Sequence, residues 1–532
     1  MLDVAVIGGG VGGCYCAYRL AGSDGRQVTL FEASGRIGGR LWSVPLRGGG
    51  VAEIGGMFFR ENHRSVRNLV DHLGLAAEPV NFARAGQFVR GRKFRDTEFR
   101  SDALPFALAD DERASGPAAL LAYALEKLAP GATSQWPINR AAPCSAQATF
   151  AFLRGVRHRG RPLHEFSLWN VLADVISTEA YALLVATLGS ASLIRVVNAF
   201  DGVWSLVHEL GDGQGFRLVE GYQSLPLELT RRAEGAGAVV HLHHQLSAIA
   251  RCGENFSLAF AANGSNKIEL QTRRVILALP QRALQQVAFD PDLFSVDGVF
   301  EPMRDRAVRP MRSCKMFLVY DRAWRAAEAS GSIAARYTDM PMQQGYYFGR
   351  GAGEQGDVVM AYADDVSSTF WSSLADDDAR FPSAAREAAD VDVLRASEAL
   401  VQSLQAQFSA LHGREIAPPS GALYFDWSSD PYGGAWHAWA PHFRSWDIRP
   451  KMRQPNPSLD LFICGEAYSQ RNGWVEGAIN SAERTLERLG LSRPGWISDP
   501  DFQFEVDDKG AANDDSNDRH VQRPVTRHGA AA

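Results

Sequence analysis

The sequence has few cysteines and none in a metal-binding pattern. Its six thiols, Cys14, Cys16, Cys144, Cys252, Cys314 and Cys464, are scattered without a Cys-x-x-Cys pair, which speaks against a zinc site and a disulfide framework and fits reduced thiols in a cytoplasm. No metal is expected. Long hydrophobic runs are also missing. The longest uncharged apolar-rich stretch, Ala180 to Ile194, contains Thr, Gly and Ser and is shorter than the roughly 18 residues of a spanning helix. The start, MLDVAVIGGG, leads straight into glycines rather than following the basic-then-apolar pattern of an export signal. The expectation is a soluble, cytoplasmic chain with no membrane partner. An excess of basic charge is lacking too: 55 Lys and Arg stand against 61 Asp and Glu, a net charge of −6, which argues against a nucleic-acid partner. Small molecules are the better fit.

What is present describes a large globular chain. At 532 residues, 45% apolar and 22% charged, it is long enough for three or four units at roughly 150 residues each, or one composite fold. Val4 to Ile7 is a continuous apolar run, followed by Gly8-Gly9-Gly10-Val11-Gly12-Gly13, a helical pattern through Tyr18 and Leu20, and a second apolar run from Val28 to Phe31 ending in Glu32. This is a βαβ unit of the dinucleotide-binding type. Glycines 8, 10 and 13 let the backbone approach a pyrophosphate at a helix N-terminus, and Glu32 falls where a carboxylate meets ribose hydroxyls. Similar buried-strand runs recur at Val275 to Leu279 and Leu461 to Cys464, so one sheet is expected from distant segments. Residues from about 100 to 215 read as helical, whereas Ser313 to Tyr320, Asp357 to Ala363 and Gly421 to Trp427 have the character of a second sheet.

The element after Glu32-Ala33 makes the site specific. Gly35-Arg36-Ile37-Gly38-Gly39-Arg40 puts two arginines and a glycine pair after the ribose acid. The chain then carries Glu53-Ile54-Gly55-Gly56-Met57, Gly221-Tyr222-Gln223-Ser224-Leu225-Pro226, Leu246 in HLHHQLSAI, VILALP ending at Pro280, Cys464-Gly465-Glu466 and Gly473-Trp474-Val475-Glu476-Gly477. In this order the motifs resemble those of the flavin-dependent amine oxidase superfamily, from residue 4 to about 489. The resemblance is weak from about 85 to 160.

It implies an α/β fold with a discontinuous doubly wound, Rossmann-like FAD-binding domain (1–65, 216–300 and 445–492). A mixed-sheet substrate domain (66–100 and 301–444), a helical insertion (101–215) and a disordered tail (506–532) complete it. FAD would be held noncovalently, because Ala435 falls where some members carry a flavin-linking cysteine. The residues placed at FAD are Gly8, Gly10, Val11, Gly12, Gly13, Glu32, Ala33, Arg36, Gly39, Arg40, Gly55, Gly56, Met57, Leu246, Gly465, Glu466, Gly473, Trp474 and Val475. The C-terminal helix, apolar at Val475, Ala478, Ile479, Ala482 and Leu486, would aim its positive end at the flavin. Lys315 matches the lysine that holds a water near flavin N5 and assists reaction with oxygen.

Trp436 and Trp474 match the aromatic pair that flanks the substrate amine, where burial favours the free base from which hydride leaves. Within the superfamily the chain is most similar to L-amino acid oxidases, through the EIGGM motif, His63 to Arg67, and Thr338-Asp339-Met340-Pro341 followed by Tyr346-Tyr347. The resemblance places the substrate carboxylate at an arginine after the Met and at a tyrosine of the Tyr346-Tyr347 pair. Here Phe58 takes the arginine's place, and Arg60, two residues on and on the same side of an extended segment, is the candidate substitute. His208 resembles the family's candidate for accepting the ammonium proton. The expected activity is oxidation of an L-amino acid by oxygen to the keto acid, ammonia and hydrogen peroxide. A monoamine or polyamine oxidase and an amino-acid 2-monooxygenase remain alternatives. A homodimer is compatible with the sequence but not specified by it.

Overall fold

Apolar runs without alternation suit strands buried on both faces, and four such runs pair in parallel. The computed structural model places Leu2–Ile7 between Val28–Phe31 and Asn266–Leu277, with Val239–His241 on the outer side of Val28–Phe31 and Leu461–Ile463 on the far side of Asn266–Leu277. The antiparallel strands His244–Cys252 and Asn255–Ala262 extend this sheet. The structure describes residues 1–23, 26–47, 50–95, 98–100, 104–113, 116–135, 145–189, 191–208, 214–264, 266–294, 298–324, 332–348, 356–375, 394–429 and 433–506.

Helices cover one face of this sheet. Val11–Ala21, Arg64–Leu73, Ser224–Gly235 and Val475–Arg488 bury Cys14, Leu20, Leu69, Leu229, Ile479 and Leu486 in one apolar cluster. The last helix stops where Gly490 takes φ +83°. Burying such side chains contributes roughly 1.5–3 kcal/mol each relative to exposure.

The second sheet runs in the order Gly421–Asp426, Ser313–Tyr320, Asp357–Asp364, Gln344–Phe348, Ser332–Thr338, Ala77–Val89, Gly215–Leu218, Phe59–Arg60. It is mixed, with Ser332–Thr338 parallel to Ala77–Val89 and the other adjacent pairs antiparallel. Along Ser313–Tyr320 the alternation expected from the sequence holds: Cys314, Met316 and Leu318 enter one apolar cluster, while Phe317 and Val319 enter the opposite one.

Three expected boundaries shift. Phe59–Arg60 and Gly215–Leu218 pair within the second sheet, whereas 1–65 and 216–218 are expected in the FAD domain. Conversely, Arg64–Leu73 packs through Val66, Leu69 and Val70 on the FAD-side helices. Val506, expected to begin the disordered tail, is buried, and its N–H donates to Gln470 at 2.8 Å; the neighbouring Glu505 is pinned by Arg449 and Arg453. Residues 507–532 lie outside the described residues. Between Arg92–Phe94 and Gly215–Leu218 in the chain, Pro117–Leu128, Ala146–Gly155, Leu168–Val175, Thr178–Leu188, Ala191–Val196 and Ala199–His208 form the helical insertion, and their common core receives Trp446, Val506 and the partly buried Trp436.

Candidate active site

A cavity of about 760 Å³ runs from the first βαβ turn to the inner face of the second sheet. At one end the glycines divide the work. Gly8 has φ +109° and Gly13 packs so closely on Gly8 that a Cβ there would lie 1.9 Å from the Gly8 carbonyl oxygen. These two bring helix onto strand, and Gly13 does not line the cavity. Gly10 and Gly465 do, and a Cβ on either would meet no protein atom within 4 Å. Open space beside bare backbone at a helix start is a pyrophosphate cradle. Val11, Gly12, Glu32, Ala33 and Leu246 line the same end. Glu32 accepts from Gly9 N–H at 2.6 Å and from Ser34 N–H at 2.8 Å, so its carboxylate is fixed beside the cradle.

The two arginines of the following loop have different roles. The Arg36 guanidinium donates to the Gly39 carbonyl at 2.8 Å and stacks on Trp42 at 4.4 Å, holding the loop's own shape. Arg40 reaches across the cavity to Glu466 at 2.7 Å. Gly39, Gly55, Gly56 and Met57 line the wall between them.

Lys315 is buried, and its Nζ donates to the carbonyl oxygens of Glu53, at 2.9 Å, and Gly55. Its charge is therefore held inside the fold rather than carried to the surface. Burial lowers its pKa to about 8 against the opposing pull of Glu53, and burial raises that carboxyl to about 7. Glu53 itself accepts from the Ser43 hydroxyl and the Tyr222 N–H, both at 2.7 Å. It stands in a motif that the sequence displays, yet only the fold reveals it as the link between that motif, Lys315 and the Gly221-Tyr222 turn.

Trp436, at the start of the strand Trp436–Trp439, and Trp474, the N-cap of Val475–Arg488, both line the far end. A Cβ on Gly473 would lie 3.6 Å from the Trp436 side chain, so the two segments touch. Phe58 meets Trp474 edge-on at 5.5 Å. Leu193 and Ser205 of the helical insertion and Gln344, Tyr346 and Tyr362 of the second sheet complete this end. Tyr346 donates to Gln344 at 2.6 Å. No local pattern distinguishes Leu193, Ser205 or Gln344 in the sequence.

Three expected substrate or proton-transfer residues lie elsewhere. Tyr347 points to the opposite side of its strand from Tyr346, as strand alternation requires; it is buried in the outer core, with its hydroxyl 2.9 Å from His412. His208 ends the helix Ala199–His208 with its ring 4.3 Å from that of Trp204, outside the cavity lining. Arg60 does not line the cavity; its guanidinium lies 5.6 Å from the Phe58 ring and 5.7 Å from that of Trp474, beside the aromatic residues that do. Sharing a side with position 58 in an extended segment did not bring it into the cavity.

The model of the flavin containing amine oxidoreductases matches residues 11–489. The chain belongs to that family. Over 522 residues it is 28% identical to achacin of Lissachatina fulica, covering 92% of this chain and 93% of that one. It is 24% identical to an L-amino-acid oxidase of Bungarus fasciatus over 509 residues, 91% and 86% of the two chains. A cyclohexylamine oxidase of Brevibacterium oxydans has the same fold at a TM-score of 0.64 with 17% identity, covering 92% of this chain and all of that one, 100%. A triply substituted putrescine oxidase also superposes at 0.64, with 19% identity.

The residues present fit the family's FAD. The open glycine cradle would take the pyrophosphate and Glu32 the ribose, and the long cavity leads from them past Arg40 and Gly56 to Lys315. Among the described residues no cysteine lines the cavity, and Ala435 does. The N-terminus of Val475–Arg488 faces this space. Its first-turn carboxylate, Glu476, is turned away to accept from Ser65 N–H at 3.1 Å and Val66 N–H at 2.9 Å, capping Arg64–Leu73 instead. The positive end of the helix is thereby left to the cavity.

Proposed function

We propose that this flavoenzyme oxidises an L-amino acid with oxygen and water, releasing the keto acid, ammonia and hydrogen peroxide, in a reducing cytoplasm. The observation that carries the reading is one continuous cavity containing the glycine cradle, buried Lys315 and the pair Trp436 and Trp474. When bound, FAD supplies the acceptor for the hydride leaving the substrate carbon. The chain supplies the rest. The aromatic slot excludes water and disfavours the ammonium, so that a free amine is presented. Lys315 keeps a donor at the inner wall, and Tyr346 and Gln344 offer polar atoms to the substrate. The resemblance of nine-tenths of the chain to proteins named L-amino-acid oxidase supports the amino-acid substrate.

One observation favours a second reading, an amine without a carboxylate: Phe58 lines the cavity and Arg60 does not. The test is anaerobic mixing of the purified yellow protein with matched L-amino acids, D-amino acids and their decarboxylated amines. Bleaching by L-amino acids, with keto acid and ammonia recovered, supports the proposal. Bleaching by amines alone overturns it in favour of the second reading, and recovery of amide with carbon dioxide assigns a monooxygenase.

A further inference from the structure

Glu466 is buried between the two segments that carry the tryptophans. Its Oε1 accepts two backbone N–H groups, from His437 at 2.8 Å and from Gly473 at 2.8 Å. His437 directly follows Trp436, and Gly473 directly precedes Trp474. One oxygen atom therefore joins the strand Trp436–Trp439 to the chain entering the helix Val475–Arg488. The other oxygen faces a different way. Oε2 accepts from Arg40 at 2.7 Å and lies 3.0 Å from His437 Nδ1. Arg40 also donates to the Ala435 carbonyl at 3.3 Å, on the other side of Trp436. Burial alone would raise this carboxyl, but the charges of Arg40 and His437 and the donors around it hold it well below the usual carboxylate range, so it remains an anion with all four contacts in place.

We propose that Glu466 is a positioning residue: through Oε1 it sets the separation of Trp436 and Trp474, and through Oε2 it sets Arg40 toward the cofactor. The sequence motif implies only a place beside FAD. The geometry adds a second duty, because aromatic rings on two unconnected elements flank a small amine only while their backbones are held at a fixed distance. Two N–H donors sharing one buried acceptor impose that distance, because leaving either donor unpaired in the interior is unfavourable. The inference rests on the aromatic slot of the proposed function.

Two substitutions of the holoenzyme separate the duties. Glu466→Gln keeps an oxygen where Oε1 stands but sets an amide against Arg40. Glu466→Asp keeps the charge but withdraws the oxygens by one methylene. The measurement is anaerobic reduction at saturating FAD, using whichever compound bleaches the wild type, with the apparent Kd and limiting rate read separately, and FAD affinity measured by fluorescence.

The expected result is that Gln keeps the substrate Kd within about threefold while weakening FAD, whereas Asp raises the substrate Kd by roughly tenfold or more at full FAD occupancy. The reverse order, or two variants that match wild type once FAD is saturating, overturns the proposal. Trp474→Ala distinguishes its failure from that of the slot. If Trp474→Ala raises Kd and Glu466→Asp does not, only the positioning role fails; if neither does, the slot itself fails.

Discussion

The Lys315 ammonium donates to the carbonyl oxygen of Gly55, 260 residues earlier in the chain. This bond, with its partner to the Glu53 carbonyl, ties the second sheet to the loop beside the cofactor cradle. Lys315→Met removes the donor from two buried carbonyls, at about 1–3 kcal/mol each, and should lower the melting temperature. Reoxidation of the reduced enzyme by oxygen should slow by roughly tenfold or more, measured by stopped-flow absorbance. The folded lysine titrates at about 8 against an ordinary 10.5. Between those values the unfolded chain binds more protons, so this group makes stability rise with pH there. That contribution should vanish in the Met variant; an unchanged slope and unchanged reoxidation would contradict the assignment.

Asp201 acts with the opposite sign. Burial raises its carboxyl from 3.8 to about 6, although Ser445 and Asn198 hydrogen-bond to it. The folded state binds the proton more tightly, so stability from this group is full below about pH 4 and is lost as pH rises through 6. Asp201→Asn should give a shallower fall between pH 4 and 6. Asp364, raised to about 6 by burial, retains its own part of the fall. Thermal melts of both proteins across this range check it, and parallel curves would refute it.

Two glycines of one motif should fail differently. Gly13→Ala drives a Cβ into the Gly8 carbonyl, 1.9 Å away, and should prevent soluble expression. Gly10→Val enters open space, so the protein should fold with a near-wild-type apo melting temperature but bind FAD roughly tenfold or more weakly, read by fluorescence titration.

Arg60 does not line the cavity, whereas Phe58 does. Arg60→Ala should therefore leave KM for L-amino acids and for the matched decarboxylated amines within about twofold of wild type. Phe58→Arg, which places a guanidinium in the wall, should shift preference toward carboxylates. Steady-state kinetics on matched pairs checks both, and a rise in KM of roughly tenfold confined to L-amino acids in Arg60→Ala would contradict the placement of Arg60 outside the site.

The sequence displayed the cofactor end of the site well because its chemistry is local: a turn of glycines, a carboxylate at a strand end and a helix start each need particular residues at fixed spacing. Strand alternation also placed Lys315 inward. The substrate end was less legible. Gln344, Ser205 and Leu193 meet there only because the helical insertion closes on the second sheet, and no spacing rule encodes that meeting. The resemblance implies either Tyr346 or Tyr347, and alternation allows only one of them to face the cavity. Arg60 and Phe58 lie two positions apart in an extended segment, yet only Phe58 lines the cavity, and spacing alone does not tell which of the two does. The double duty of Glu466 depends on contacts with residues 29 positions and 7 positions away, of which the sequence motif reveals only the acid.

Cofactor content tests the central claim most directly. Freshly purified protein should be yellow, and denaturation in acid should release one FAD per chain into the supernatant with no flavin left on the precipitate. Protein that emerges colourless and takes up no added FAD would contradict the account; flavin retained on the precipitate would contradict noncovalent binding at Ala435.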